Sequence, residues 1–135
     1  FMTYGDGLAN ININNLIKFH KNKKKVSATM TVVNPPSRFG AVTIKGEMIT
    51  HFNEKPFKND NWINGGFFVL EPEIFKYIEG DDTVWEGEPL EKIAKKNKLS
   101  AFKLKNFWQP MDTIRDKNHL DKLWKDNNAP WKCWK

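Results

Sequence analysis

One cysteine, Cys133, stands among 135 residues, so no disulfide can close within the chain. Apolar runs are short throughout, far below the roughly 20 residues a membrane-spanning helix requires. No basic segment followed by an apolar core opens the sequence, so no signal peptide is expected, and these absences together favour the cytoplasm. Repeats and low-complexity tracts are missing, which excludes solenoids and fibrous folds. Zinc-finger spacings and RNP-type aromatic motifs are missing as well.

What is present suits a globular chain. Hydrophobic residues make up 39% and charged residues 28%, a balance that supports a packed core and argues against disorder. The length allows one domain at most. Net charge is +6, part of it in Lys21, Lys23, Lys24 and Lys25. At the end of a helix, such a run complements the dipole. A positive field also draws in phosphate-bearing ligands.

The pattern along the chain is mixed α/β. Residues 1–4 read as the end of a buried strand, and a strand at residue 1 suggests the second half of a larger domain. Asn10 or Asn12 caps a helix carrying Ile13, Leu16, Ile17 and His20 at helical spacing. Residues 26–33 are β-rich, so strand, helix and strand predict a parallel crossover. Residues 41–44 and 48–52 form a hairpin around Lys45-Gly46-Glu47. Residues 66–70 are wholly apolar, as in a strand covered on both faces. Pro72 opens a helix with Ile74, Phe75 and Ile78 inward, and Pro89 opens another with Leu90, Ile93 and Ala94 inward. A strand at 99–104 and a last helix capped by Asp112 or Thr113 follow.

Five features carry chemistry. Asp6 sits between Gly5 and Gly7, just past a strand, at the kind of sheet edge where α/β proteins bind ligands. Asp112 lies in a similar turn, and two carboxylates from distant parts of a chain can converge on one Mg²⁺. Plainer roles, a turn residue and a helix cap, compete with that reading. Lys55, in Glu54-Lys55-Pro56, offers a point charge for a phosphate, although the tripeptide also suits an ordinary loop. Asn64-Gly65-Gly66 and Arg38-Phe39-Gly40 each let backbone approach a ligand closely. The histidines His20, His51 and His119 are not spaced as metal ligands and read as structural or surface groups.

Taken in order, these segments resemble one family. They are Tyr4-Gly5-Asp6-Gly7, the stretch 35–41, Phe52-Asn53-Glu54-Lys55-Pro56, the stretch 63–69, Trp85-Glu86-Gly87-Glu88-Pro89-Leu90, the stretch 107–113 and Ala129-Pro130-Trp131-Lys132. The chain resembles the carboxyl-terminal half of the sugar-phosphate nucleotidyltransferases, and its segments at 107–113 and 129–132 resemble the cytidylyltransferase branch. The resemblance implies a Rossmann-like α/β fold with a mixed, mostly parallel sheet and flanking helices. On it, residues 1–135 are the sugar-phosphate-binding part of a single domain whose nucleotide-binding amino-terminal part is absent.

The resemblance also implies roles. Asp6 and Asp112 hold Mg²⁺. Lys55 grips the sugar phosphate and Glu54 hydrogen-bonds sugar hydroxyls. Gly40, Asn64 and Gly65 supply backbone to the sugar pocket, Gly5 contacts the nucleotide through its backbone and Arg38 neighbours the phosphate. CTP and glucose 1-phosphate are the implied substrates, CDP-glucose and pyrophosphate the products, and a homo-oligomer the implied assembly. The late tryptophans Trp108, Trp124, Trp131 and Trp134 fit self-association and core packing equally. Two other readings stay open on the residues alone. One is a related uridylyl or thymidylyl enzyme, and the other is a non-catalytic basic module for nucleic acid or an acidic partner.

Overall fold

The computed structural model describes residues 1–35, 41–53 and 62–134. Its core is a four-stranded sheet in the order β1-β6-β3-β7. These strands are β1 (Met2–Thr3), β6 (Ile63–Leu70), β3 (Ala28–Val33) and β7 (Leu99–Leu104). β7 runs parallel to β3, whereas β6 is antiparallel to both β1 and β3. Strands β1, β3 and β7 therefore point one way, with β6 reversed between β1 and β3. The crossover expected from β1 through α1 (Ile13–Lys21) to β3 forms, but its two strands are not neighbours. β6 wins the central slot because its apolar run can be covered on both faces, as that position demands. β1 is left at the edge and Phe1 is exposed, so the first strand is not buried as its sequence suggested.

β3 shows why the layers form. Its successive side chains point to opposite faces, and nearly all of them are buried. Ala28 packs with Ile74 and Ile93, joined by Leu70, Tyr77, Trp85 and Leu99. Thr29, on the other face, meets α1, where His20 Nδ1 lies 2.7 Å from Thr29 Oγ1 and His20 Nε2 lies 3.0 Å from Glu71 Oε1. His20 is thus a buried structural group, as its lack of ligand spacing suggested. Asn12 caps α1 by accepting the Asn15 N–H.

The segment after Pro72 is a 3-10 helix (Pro72–Tyr77) rather than an α-helix. Its three-residue turn buries Ile74 alone and leaves Phe75 and Ile78 exposed. In α2 (Glu88–Lys95), Pro89 and Ile93 are buried and Ala94 faces solvent. The hairpin of β4 (Ala41–Lys45) and β5 (Met48–Asn53) turns through Gly46 at φ +63°. One small ladder has no counterpart in the sequence reading. It joins β2 (Gly7–Ala9) to β8 (Trp108–Pro110) ahead of α3 (Ile114–Lys125). Among the described residues no helix is long and apolar enough to cross a membrane.

Candidate functional site

The β2–β8 ladder brings the two aspartates together. Its antiparallel register sets Gly7 against Pro110, Leu8 against Gln109 and Ala9 against Trp108. One further bond, from Met111 N–H to the Asp6 carbonyl at 2.7 Å, extends the pairing past both strands. Asp6 and Asp112 consequently flank the same end of the ladder, and both line one cavity of ≈ 200 Å³. Tyr4, Asn64, Gly65 and Trp108 also line it, backed by Gly7, Gly66 and Pro110.

Asp112 does not cap α3. Thr113 is the N-cap, its hydroxyl oxygen accepting the Asp116 N–H at 3.2 Å, while the Asp116 carboxylate accepts the Thr113 N–H at 3.1 Å. This reciprocal box satisfies the helix start. Gln109 Nε2 donates to Asp116 at 3.0 Å and anchors the box to β8. The two candidates for the cap thus divide: Thr113 takes it, and Asp112 stays exposed at the cavity. Among the described residues, neither Asp6 nor Asp112 spends its carboxylate on a hydrogen bond or an ion pair.

The opposite wall is glycine because nothing larger fits. A Cβ on Gly65 would stand 3.0 Å from Val33 Cγ1 and 3.1 Å from the Thr31 carbonyl. Gly66 adopts φ +78°, a left-handed conformation that glycine reaches without steric cost. Trp108 Nε1–H donates to the Gly65 carbonyl at 2.9 Å, which satisfies the half-buried indole and braces the wall from β8. Asn64 is held at both ends of its amide. Its oxygen accepts the Gly66 N–H at 2.9 Å, and its nitrogen donates to the Tyr4 hydroxyl at 2.8 Å. Burial, reinforced by Glu86 and by the more distant charge of Asp6, pushes the Tyr4 phenol up to about 12. Tyr4 therefore stays neutral at physiological pH and able to donate.

The structure thus unites Asp6, Asp112, Asn64 and Gly65, with Gly5 beside them at the bend. A Cβ on Gly5 would meet open space, so no protein neighbour forces glycine there. Arg38, Gly40, Glu54 and Lys55 lie outside the described residues. Larger hollows of ≈ 510 Å³ beside Asp82 and Glu88, and ≈ 560 Å³ beside Val33 and Trp62, do not include the two aspartates. Size is the weaker guide here, because chemistry follows the uncommitted carboxylates. Sequence reasoning did not place Tyr4 at the site. The available signal was a tyrosine closing a strand directly ahead of Gly5-Asp6-Gly7, whose hydroxyl needs a partner once buried.

Comparison with known proteins places the chain in a family. Residues 1–126 match the family described as Nucleotidyl transferase. The glucose-1-phosphate cytidylyltransferase of Salmonella typhimurium is 49% identical over 132 residues, covering 98% of this chain and 51% of the relative. A mannose-1-phosphate guanylyltransferase catalytic subunit beta of Drosophila pseudoobscura pseudoobscura is 29% identical, with 86% and 32% covered. The chain therefore spans about half the length of the cytidylyltransferases it matches. Among solved structures, HddC from Yersinia pseudotuberculosis superposes with a TM-score of 0.60 at 17% identity, covering 89% of this chain and 52% of that one. That likeness concerns the fold alone. With a matching family over residues 1–126 and the fold of its structural neighbours, this chain belongs to the nucleotidyl transferase family.

Proposed function

We propose that this chain is the carboxyl-terminal, sugar-phosphate-binding part of an enzyme that converts CTP and α-D-glucose 1-phosphate to CDP-glucose and pyrophosphate. One observation carries the reading: Asp6 and Asp112, remote in sequence, line one cavity, and among the described residues neither carboxylate takes part in a hydrogen bond or ion pair. The 49% identity to a glucose-1-phosphate cytidylyltransferase supports the choice of substrates. Identity to mannose-1-phosphate guanylyltransferases, 35% and 29% for two of them, is lower and favours CTP over GTP.

The residues fit Mg²⁺. Two carboxylates offer hard oxygen donors, and no group of three or more potential ligand side chains forms among the described residues. Mg²⁺ characteristically binds through one or two carboxylates and keeps its other positions for water and substrate phosphates. Asp6 and Asp112 would hold it. When bound, it neutralises charge on the reacting phosphates.

The protein's own residues then position two polyanions that repel each other. An oxygen of the sugar phosphate attacks the α-phosphorus of CTP in line, and the bond to pyrophosphate breaks as the new one forms. Lys55 neutralises the attacking phosphate as a point charge. Glu54 and Asn64 hydrogen-bond sugar hydroxyls, while Gly40 and Gly65 present backbone to the sugar. Arg38 attends the phosphate. The open side of Gly5 admits the nucleotide. No protein nucleophile is required, so Cys133 and Ser37 need no catalytic part. The work is positional and electrostatic.

Half-exposed Trp124 and Trp134, in ring contact with each other, support self-association through the carboxyl-terminal region. Sedimentation of a monomer would remove that part of the reading. The same reading puts the enzyme in the cytoplasm.

The test joins this chain to the first half of the Salmonella typhimurium relative and measures turnover of CTP with glucose 1-phosphate, mannose 1-phosphate and galactose 1-phosphate. Glucose 1-phosphate is expected to lead. Asp112→Ala should lower turnover by about 10² or more, since such a ligand contributes several kcal/mol. Turnover left near the parent level would overturn the assignment.

A further inference from the structure

Asn64 gives a sugar hydroxyl one donor and one acceptor only if its amide is fixed the right way round. A carboxamide carries two N–H bonds and an oxygen with two lone pairs. In this site one lone pair takes the Gly66 N–H, and one N–H goes to the Tyr4 hydroxyl. The oxygen end is settled because only an acceptor can face Gly66 N–H. The nitrogen end then faces Tyr4, whose hydroxyl, able to donate or accept, accepts there. One N–H and one lone pair then remain for a ligand, on a side chain that lines the cavity.

Tyr4 is locked to the same wall by three further contacts. Its backbone N–H donates to the Gly66 carbonyl at 2.9 Å. Its ring occupies the space where a Cβ on residue 66 would stand, 3.1 Å from that position. The same ring packs against Phe68 at 5.6 Å between centroids. Its hydroxyl is thus placed by covalent and packing restraints that do not involve Asn64. A fixed hydroxyl pins the amide's nitrogen end as the Gly66 N–H pins its oxygen end, and the two together preorganise it.

We infer that Tyr4 is the positioning residue of this site, its hydroxyl fixing the Asn64 carboxamide for a hexose hydroxyl. This inference rests on the reading of Asn64 as a sugar contact. It adds that sugar recognition depends on a residue that needs no contact with sugar. The clamp is distinct from the metal pair, so the two functions are separable by mutation.

The experiment is a double-mutant cycle on Tyr4→Phe and Asn64→Ala, read by calorimetric titration with glucose 1-phosphate and, separately, with Mn²⁺. Phenylalanine keeps the ring against Gly66 and Phe68, so the variant retains the wall's packing. Tyr4→Phe should weaken glucose 1-phosphate about fivefold to tenfold, the worth of one hydrogen bond. In the Asn64→Ala background the same change should cost less than about twofold, because its target is gone. Mn²⁺ affinity should hold in every variant. Wild-type affinity in Tyr4→Phe, or losses that simply multiply, would overturn the inference.

Failure of the parent chain to take up glucose 1-phosphate would instead count against the sugar-binding reading. The inference would then be decided by the side-chain NH₂ resonances of Asn64. In Tyr4→Phe the proton that faces the hydroxyl should shift toward its free-carboxamide position and exchange faster with solvent, and an unchanged shift and exchange rate would overturn it.

Discussion

Gly66 turns left-handed directly against the ring of Tyr4, with its would-be Cβ 3.1 Å from Tyr4 Cδ2. The contact joins the end of β1 to the middle of β6 beside the two aspartates. It makes one glycine a condition of the site's shape.

Gly66→Ala should therefore destabilise the chain. The left-handed conformation alone costs about 1–3 kcal/mol for a side chain, before the ring has to move. Gly5→Ala, whose Cβ enters open space, should leave folding unchanged. Urea unfolding of the two variants checks the contrast, and equal midpoints would refute it.

Thr113 and Asp112, adjacent in sequence, should separate by function. Thr113→Ala removes the cap and should cost about 1 kcal/mol of stability. Asp112→Ala should leave the unfolding midpoint in place while weakening Mn²⁺ binding. Thermal melts beside metal titrations of the two variants check this, and a destabilised Asp112→Ala would return that residue to the cap.

Tyr4 gives the site a pH signature. Its phenol rises from about 10 in the unfolded chain to about 12 in the fold, because burial and Glu86 oppose ionisation. The associated stability is complete below pH 10 and is lost as pH rises from there through about 12. Tyrosinate absorbance in a Tyr77→Phe background, where Tyr4 is the only tyrosine, should titrate near the upper value. Titration at the ordinary value would mean that the hydroxyl is solvated.

Much of this was legible in the residues. Helical spacing placed α1, a β-rich run placed β3, an apolar run placed the later part of β6 (66–70 of Ile63–Leu70), and the strand expected at 99–104 is β7. The rest depends on contacts between distant residues. β2 and β8 are three residues each and pair across nearly the whole chain, so no local period announces them. Yet this ladder is what sets Asp6 beside Asp112. The adjacency of β6 to both β1 and β3 was also invisible, since strand order is decided by which strand can be buried on both faces. Asp112 and Thr113 were interchangeable as caps on composition, and only the reciprocal bonds with Asp116 distinguish them. Tyr4 escaped notice because its role depends on Asn64, sixty residues away.

The most direct test is paramagnetic. Mn²⁺ added to the isotopically labelled chain should broaden the resonances of Gly7, Gly65 and Asp112 first, and Asp6→Ala should abolish that effect. Broadening centred instead on the acidic stretch around Asp81 and Asp82, and untouched by Asp6→Ala, would contradict a cation shared by Asp6 and Asp112.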